Sequence, residues 1–185
     1  MKLGPDNATL IVKVYREGVA ARMGHDLVLE VTRWEATVDV DAASPAIELT
    51  ADPRSLEVRE ATGGVAPLTD RDRAEIAKNI DRNVLRGEPI AFRSTTVRRS
   101  DDRLLVEGEL TMAGRTAHVA AQLDVAGDGQ ISGTVPLTQS AWGIKPYRGL
   151  MGALKVRDEV EVVIDARLPP AQPPPGQSAP GTASS

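Results

Sequence analysis

The sequence predicts an all-β protein: an antiparallel barrel of about eight strands with one inserted α-helix. Three observations carry that expectation. Runs of period-two alternation recur along the chain, separated by glycine-, proline- or aspartate-containing turns. A single segment, 68–85, shows apolar residues at helical spacing instead. The alternating runs carry one apolar face each, and a sheet closed on itself hides all of those faces from water at once.

The clearest run is 103–125. Leu104, Val106, Gly108, Leu110 and Met112 share one face; Leu105, Glu107, Glu109 and Thr111 share the other. After Ala113-Gly114 the alternation restarts, with Ala117, Val119, Ala121, Leu123 and Val125 in phase and Thr116, His118, Ala120, Gln122 and Asp124 opposite. Alternation on both sides of a glycine turn predicts a half-buried hairpin.

From the N-terminus, residues 1–7 are a polar lead-in, and 8–16 alternate with Leu10, Val12 and Val14 in phase. Residues 20–24 read as a turn. The stretch 25–40 holds Leu27, Leu29 and Val31, then Trp34, Ala36, Val38 and Val40, and its phase slips near Thr32-Arg33. A bulge in one bent strand or a corner between two strands produces such a slip. Residues 41–45 are a turn, Ile47, Leu49 and Ala51 mark a strand ended by Pro53, 55–58 is a short extended piece, and 61–67 is a loop.

The helix is expected over 68–85, with Thr69 as N-cap and Asp72 three residues on. Ala74, Ile76, Ala77, Ile80 and Val84 form its apolar stripe, which packs on the sheet or covers one end of it. Residues 90–97 are β-branched and read as a strand; after the Gly127-Asp128-Gly129 turn, Ile131, Gly133, Val135 and Leu137 alternate, and 155–168 is the last strand. Residues 141–152 form a glycine-rich loop that holds Trp142, Ile144, Tyr147, Leu150 and Met151. Such a loop either folds down to plug a barrel end or frames a hydrophobic entrance. Residues 169–185 are dominated by Pro, Ala, Gly and Ser, so the expected organisation is one domain over 1–168 and a disordered tail over 169–185.

Composition excludes several classes. The net charge is −4 and aromatics are 3% of residues, which argues against a nucleic-acid partner. There is no cysteine, hence no disulfide and no thiolate metal site. No run approaches the ~18 apolar residues of a membrane span. The first residues carry no basic-then-apolar leader, and the cytoplasm is the expected compartment.

Catalytic motifs are missing. His25 and His118 lie in no metal-spaced pattern, and there is neither a nucleophile elbow nor a phosphate loop. No metal, cofactor or enzymatic activity is expected. His118 falls on the polar face of its strand. His25 shares the phase of Leu27, Leu29 and Val31, so it is either a hydrogen-bonded core histidine or a polar group at a cavity mouth. A general base at His25 oriented by Asp26 is geometrically poor, because adjacent strand residues point to opposite faces.

Five segments in order give the chain a family resemblance. Gly108-Glu109-Leu110-Thr111-Met112-Ala113-Gly114-Arg115-Thr116 resembles the G-x-L-T-x-x-G-x-T hairpin of the YceI-like lipid-binding (polyisoprenoid-binding) family. Gly24-His25-Asp26-Leu27 resembles its histidine-led strand. Asn83-Val84-Leu85 with Glu88-Pro89-Ile90-Ala91-Phe92-Arg93-Ser94 resembles its helix-to-strand passage. Trp142-Gly143-Ile144 resembles its F-G-I loop, and Val156–Val160 its closing strand. The likeness runs from about residue 8 to 168. It departs in having Trp142 for phenylalanine, no aromatic near Ile80-Asp81, and Ala117-His118-Val119 where relatives carry proline.

The resemblance implies an extended, lipocalin-like, eight-stranded barrel around an elongated hydrophobic cavity that holds an isoprenoid or other amphiphilic lipid. It also implies a homodimer, and many relatives are exported to the periplasm. The expected function is therefore a carrier or store for a long-chain apolar ligand. His25, Leu27, Leu29, Val106, Leu110, Trp142, Tyr147 and Val162 are the expected ligand-binding residues. The competing functions are an enzyme with His25 as base and a stress-associated interaction protein whose barrel is solid.

Overall fold

The computed structural model describes residues 1–40, 42–127 and 129–167. The expected tail, and with it the boundary at 168, lies outside those residues. In chain order the main elements are β1 (Ala8–Val14), β2 (His25–Val31), β3 (Trp34–Asp39), β4 (Ala46–Ala51), β5 (Leu56–Gly63), α1 (Asp70–Asn79), β6 (Ile90–Arg99), β7 (Arg103–Met112), β8 (Arg115–Val125), β9 (Gln130–Thr138) and β10 (Glu159–Arg167). All pair antiparallel, in the order β3-β4-β6-β7-β8-β9-β10-β1-β2-β5, and Lys2–Leu3 adds to β3.

The chain itself joins the two ends of this curled sheet. β2 runs into β3 and β4 into β5, so 25–39 and 46–63 are two long strands bent at a shared corner. There the Thr32 N–H donates to the Ser55 carbonyl and the Asp52 N–H to the Arg33 carbonyl, both at 3.0 Å. The Ser55 side chain, 1% exposed, donates to the Asp52 carbonyl at 2.8 Å. With each bent pair taken as one strand, the ladder returns on itself as the expected eight-stranded antiparallel barrel.

The phase slip at Thr32-Arg33 is thus a corner and not a bulge. Register shifts occur instead between Val28 and Leu29 against β5, and between Ser94 and Thr96 in β6. Opposite the second sits Gly108, where an added Cβ would lie 2.6 Å from the Phe92 ring and 2.4 Å from the Arg93 carbonyl oxygen. Glycine and bulge together let the sheet curl tightly there. The β7–β8 turn has positive φ at both central residues, Ala113 (50°) and Gly114 (73°), as a two-residue hairpin turn with the right twist requires.

Three boundaries differ from expectation. β5 extends to Gly63, because pairing with β2 sustains a strand whose Arg59-Glu60 pair breaks the alternation. Residues 154–156 leave the last strand and join a small sheet with Arg148–Gly149 and Arg16–Glu17. The helix is α only to Asn79 and passes through a π turn over Ile80–Val84.

α1 covers a seam. One edge of β5 pairs with β2, and against the other lies the helix. Arg73 Nη1 donates to the carbonyls of Val58 (3.1 Å) and Arg59 (3.2 Å), supplying hydrogen bonds that a neighbouring strand would have made. The helix starts with the expected capping box: the Thr69 side chain accepts from the Asp72 N–H, and the Asp72 carboxylate accepts from the Thr69 N–H. Ile76, Ile80 and Val84 pack toward the core, whereas Ala74 faces solvent.

Candidate functional site

The inward phases of the strands do not meet in the middle. They enclose a cavity of about 840 Å³. Leu27, Leu29, Val106, Leu110 and Val162 all line it, from β2, β7 and β10. β1 contributes Leu10, Val12 and Val14. Ile76, Ile80 and Val84 close it from the helix side. Every wall is thus the apolar face that period-two or helical spacing marks, so the cavity follows from the alternation once the ring is too wide to fill.

Arg16, His25 and Lys155 gather at one end of the lining, while Asp52 at the corner and Asn79 at the end of α1 border it elsewhere. β1 continues in phase from Val14 to Arg16, and β2 begins in phase with His25. Val14 pairs with Leu27, which brings Arg16 and His25 together beyond the last apolar pair. The His25 Nε2 lies 2.9 Å from the Ala66 carbonyl oxygen, an acceptor only, so this nitrogen carries hydrogen. Arg16 donates to the Gly24 and Thr62 carbonyls. Lys155 and the half-exposed Met23 and Tyr147 complete this mouth.

Asp26 turns away from His25. Its Oδ1 accepts from the Arg16 backbone N–H at 2.8 Å, with the Arg16 Nε at 3.8 Å. His25 and Asp26 therefore form no dyad. His118 is exposed on β8, across from Glu109. Just outside the mouth, the Tyr15 hydroxyl donates to the Glu161 carboxylate at 2.7 Å, which raises the phenol's pKa, and the Arg157 guanidinium lies 5.4 Å from the ring centre.

The loop 141–152, expected either to plug a barrel end or to frame an entrance, divides its large apolar residues between a buried and a cavity-bordering position. Trp142, 2% exposed, plugs the barrel beside β7, where its Nε1 donates to the Leu110 carbonyl at 2.7 Å. Trp142 does not border the cavity; Ile144 and Tyr147 from the same loop do. Gly143 follows in the left-handed region (φ 67°), and an added Cβ there would meet the Arg115 guanidinium.

Sequence reasoning passed over several lining residues. Arg16 was legible as the next in-phase position after Leu10, Val12 and Val14. Phe92 stood in an unassigned phase of β6. Lys155 had no signal, because it reaches the mouth only through the small sheet.

A family model described as YceI-like domain matches residues 12–168. Among solved structures, BcnA of Burkholderia cenocepacia superposes with a TM-score of 0.62 at 17% identity, covering 85% of this chain and 94% of that one. The Campylobacter jejuni YceI protein superposes with a TM-score of 0.53 at 11% identity, covering 76% and 84%. A mutant of that protein carrying a monobromobimane guest gives 0.55 at 12% identity, covering 76% and 82%. No curated protein matches the chain.

Proposed function

The chain belongs to the YceI-like domain family, and on that premise we propose that it binds a long-chain apolar or amphiphilic ligand of isoprenoid type, as a carrier or store. The carrying observation is the cavity. Its volume of about 840 Å³ falls in the range of roughly 300–1,000 Å³ typical of ligand pockets, well above a packing void. Its walls are mostly apolar, and Arg16, His25 and Lys155 lie together at one end, which suits a chain with a polar head. Each methylene moved from water into such a tube contributes about 0.8 kcal/mol, so affinity needs length more than hydrogen bonds.

In this reading Leu27, Leu29, Val106, Leu110 and Val162 contact the tail. His25 and Tyr147 meet the head group, and Trp142 holds the plug. Two observations weigh against the alternatives. Asp26 turns to the Arg16 backbone, so the His25–Asp26 pairing that a general base would use does not form. A hollow barrel is a poor fit to an interaction protein with a solid core. Among the described residues no helix is long and apolar enough to cross a membrane. The cytoplasm remains our proposed compartment, and cell fractionation tests it.

Native mass spectrometry of protein purified from its own host without detergent, followed by organic extraction, tests the proposal. A stoichiometric long-chain lipid is the expected result. A bare protein mass that stays bare after incubation with polyprenyl lipids would sink it. The same spectra show whether the proposed homodimer forms.

A further inference from the structure

We propose that the mouth of the barrel docks on an anionic phospholipid bilayer, so that the cavity opens onto the surface from which an apolar ligand comes. Docking rests on the carrier reading for its purpose, but its physical basis is a separate set of residues.

The first observation is where apolar side chains are exposed. Among the described residues, Val19, Met23, Val65, Tyr147, Leu150 and Met151 are the large hydrophobics at this end that face solvent, and Leu105 on β7 stands apart from them. The loops that carry them adjoin. The Ala20 N–H donates to the Ala153 carbonyl at 3.0 Å, and the Val156 N–H to the Tyr147 carbonyl at 3.0 Å. Arg16–Glu17, Leu154–Val156 and Arg148–Gly149 form one small sheet. Val65 precedes Ala66, whose carbonyl meets His25. Apolar patches of this kind, edged by charge, mark interaction sites on soluble domains.

The second observation is charge. Segments 15–24 and 143–157 hold Arg16, Arg22, Lys145, Arg148, Lys155 and Arg157 against Glu17, in a chain of net charge −4. Of the flanking carboxylates, Asp26 faces Arg16 and Glu161 accepts from Tyr15, whereas Lys145 and Arg148 lie in a segment without acidic residues. The acidic lining residues Asp72 and Glu75 come from the helix and are engaged with Thr69 and Arg71. A basic rim on an acidic protein is complementary to an anionic leaflet and orients the mouth toward it.

The third is backbone strain. Leu150 and Met151 both sit at positive φ, 48° and 54°, and the Met151 side chain is fully exposed. Non-glycine residues in this region cost free energy, and here the cost holds two large apolar side chains out in solvent. Insertion of Leu150, Met151 and Tyr147 into the headgroup boundary would bury them, while Lys145 and Arg148 stay at phosphate level.

Flotation of the full chain with vesicles of phosphatidylcholine alone, and of phosphatidylcholine with phosphatidylglycerol, tests the proposal. The wild type is expected to float with the anionic vesicles and to release as salt rises. The exposed double variant Leu150→Ser/Met151→Ser is expected to lower apparent affinity about tenfold. Lys145→Glu/Arg148→Glu is expected to do the same, by about tenfold or more. Uptake of a polyprenol from micelles, run in parallel, reads the cavity alone, and both variants are expected to match wild type there. A wild type that loads polyprenol but does not float overturns the docking and leaves the carrier reading standing. One that floats but loads nothing does the reverse. Flotation unchanged in both variants, or a change in oligomeric state that accounts for their loss, also overturns the docking.

Discussion

Trp142 shows how one buried side chain joins a plug to a wall. Its indole N–H satisfies the Leu110 carbonyl in a site closed to water. Trp142→Phe keeps most of the apolar volume and removes that donor, while the Leu110 carbonyl keeps its place in the ladder between β6 and β8. The expected cost is about 1 kcal/mol in urea unfolding, the worth of one hydrogen bond. Asp52 plays the matching part at the corner. The Arg54 backbone N–H, then the Arg54 and Arg33 side chains, hold its carboxyl well below the usual carboxylate range, at about 2. A carboxyl whose folded pKa is depressed stabilises the fold above its unfolded pKa, roughly 4. That contribution is lost as pH falls from there toward about 2. Asp52→Asn is therefore expected to cost about 1 kcal/mol at neutral pH, where a quarter-exposed group is screened. It should also flatten the acid limb of stability in that window. Urea titrations at a series of pH values measure both, and a parallel loss in wild type and variant would show that Asp52 is not the titrating group.

At the scale of elements, the helix takes the place of a strand partner. α1 covers the free edge of β5 with Arg73, and its Ile76–Ile80–Val84 row completes the cavity wall. Arg73→Met keeps the stem's packing and removes both hydrogen bonds. It is expected to cost about 1 kcal/mol, since the site is partly solvated. The amides around Val58–Ala61 should also exchange faster with deuterium, while β7 and β8 keep their protection. Equal exchange in wild type and variant would mean that the helix, not the arginine, guards the edge. The hairpin of β7 and β8 was fully readable from its alternation, because each residue's face is decided by its neighbours in sequence. The corner at Thr32-Arg33 was readable as a slip but not as a corner, since both a bulge and a bend shift the phase by one residue. The extent of β5 was not readable, because its pairing with β2 across a distant turn sustains it.

For the whole molecule, a ring of eight strands with medium-sized side chains leaves space that small residues such as Ala121 do not fill. Ala121 borders the cavity from β8. Ala121→Trp is expected to shorten the usable tube without disturbing the strand register. The folded protein should retain its circular dichroism and gain or lose no more than about 1 kcal/mol of stability. The cargo found by native mass spectrometry should shift to shorter chains, each excluded methylene weakening binding by about 0.8 kcal/mol. An unchanged cargo in a folded variant would show that the ligand does not occupy that part of the barrel.

The sequence by itself determined the elements, their inward faces, the capping box of the helix and the family, because alternation, helical spacing and turn chemistry are local. It placed Leu27, Leu29, Val106, Leu110 and Val162 on one buried surface, and in-phase His25 at a strand's beginning. Only the tertiary structure decided that this surface encloses a space instead of a packed core, since apolar side chains serve both equally. Tertiary structure also divided the glycine-rich loop between the Trp142 plug and the Tyr147 rim. It gathered Arg16, Lys155 and the exposed Leu150 and Met151 at one mouth, because those residues meet through pairings between segments more than a hundred residues apart.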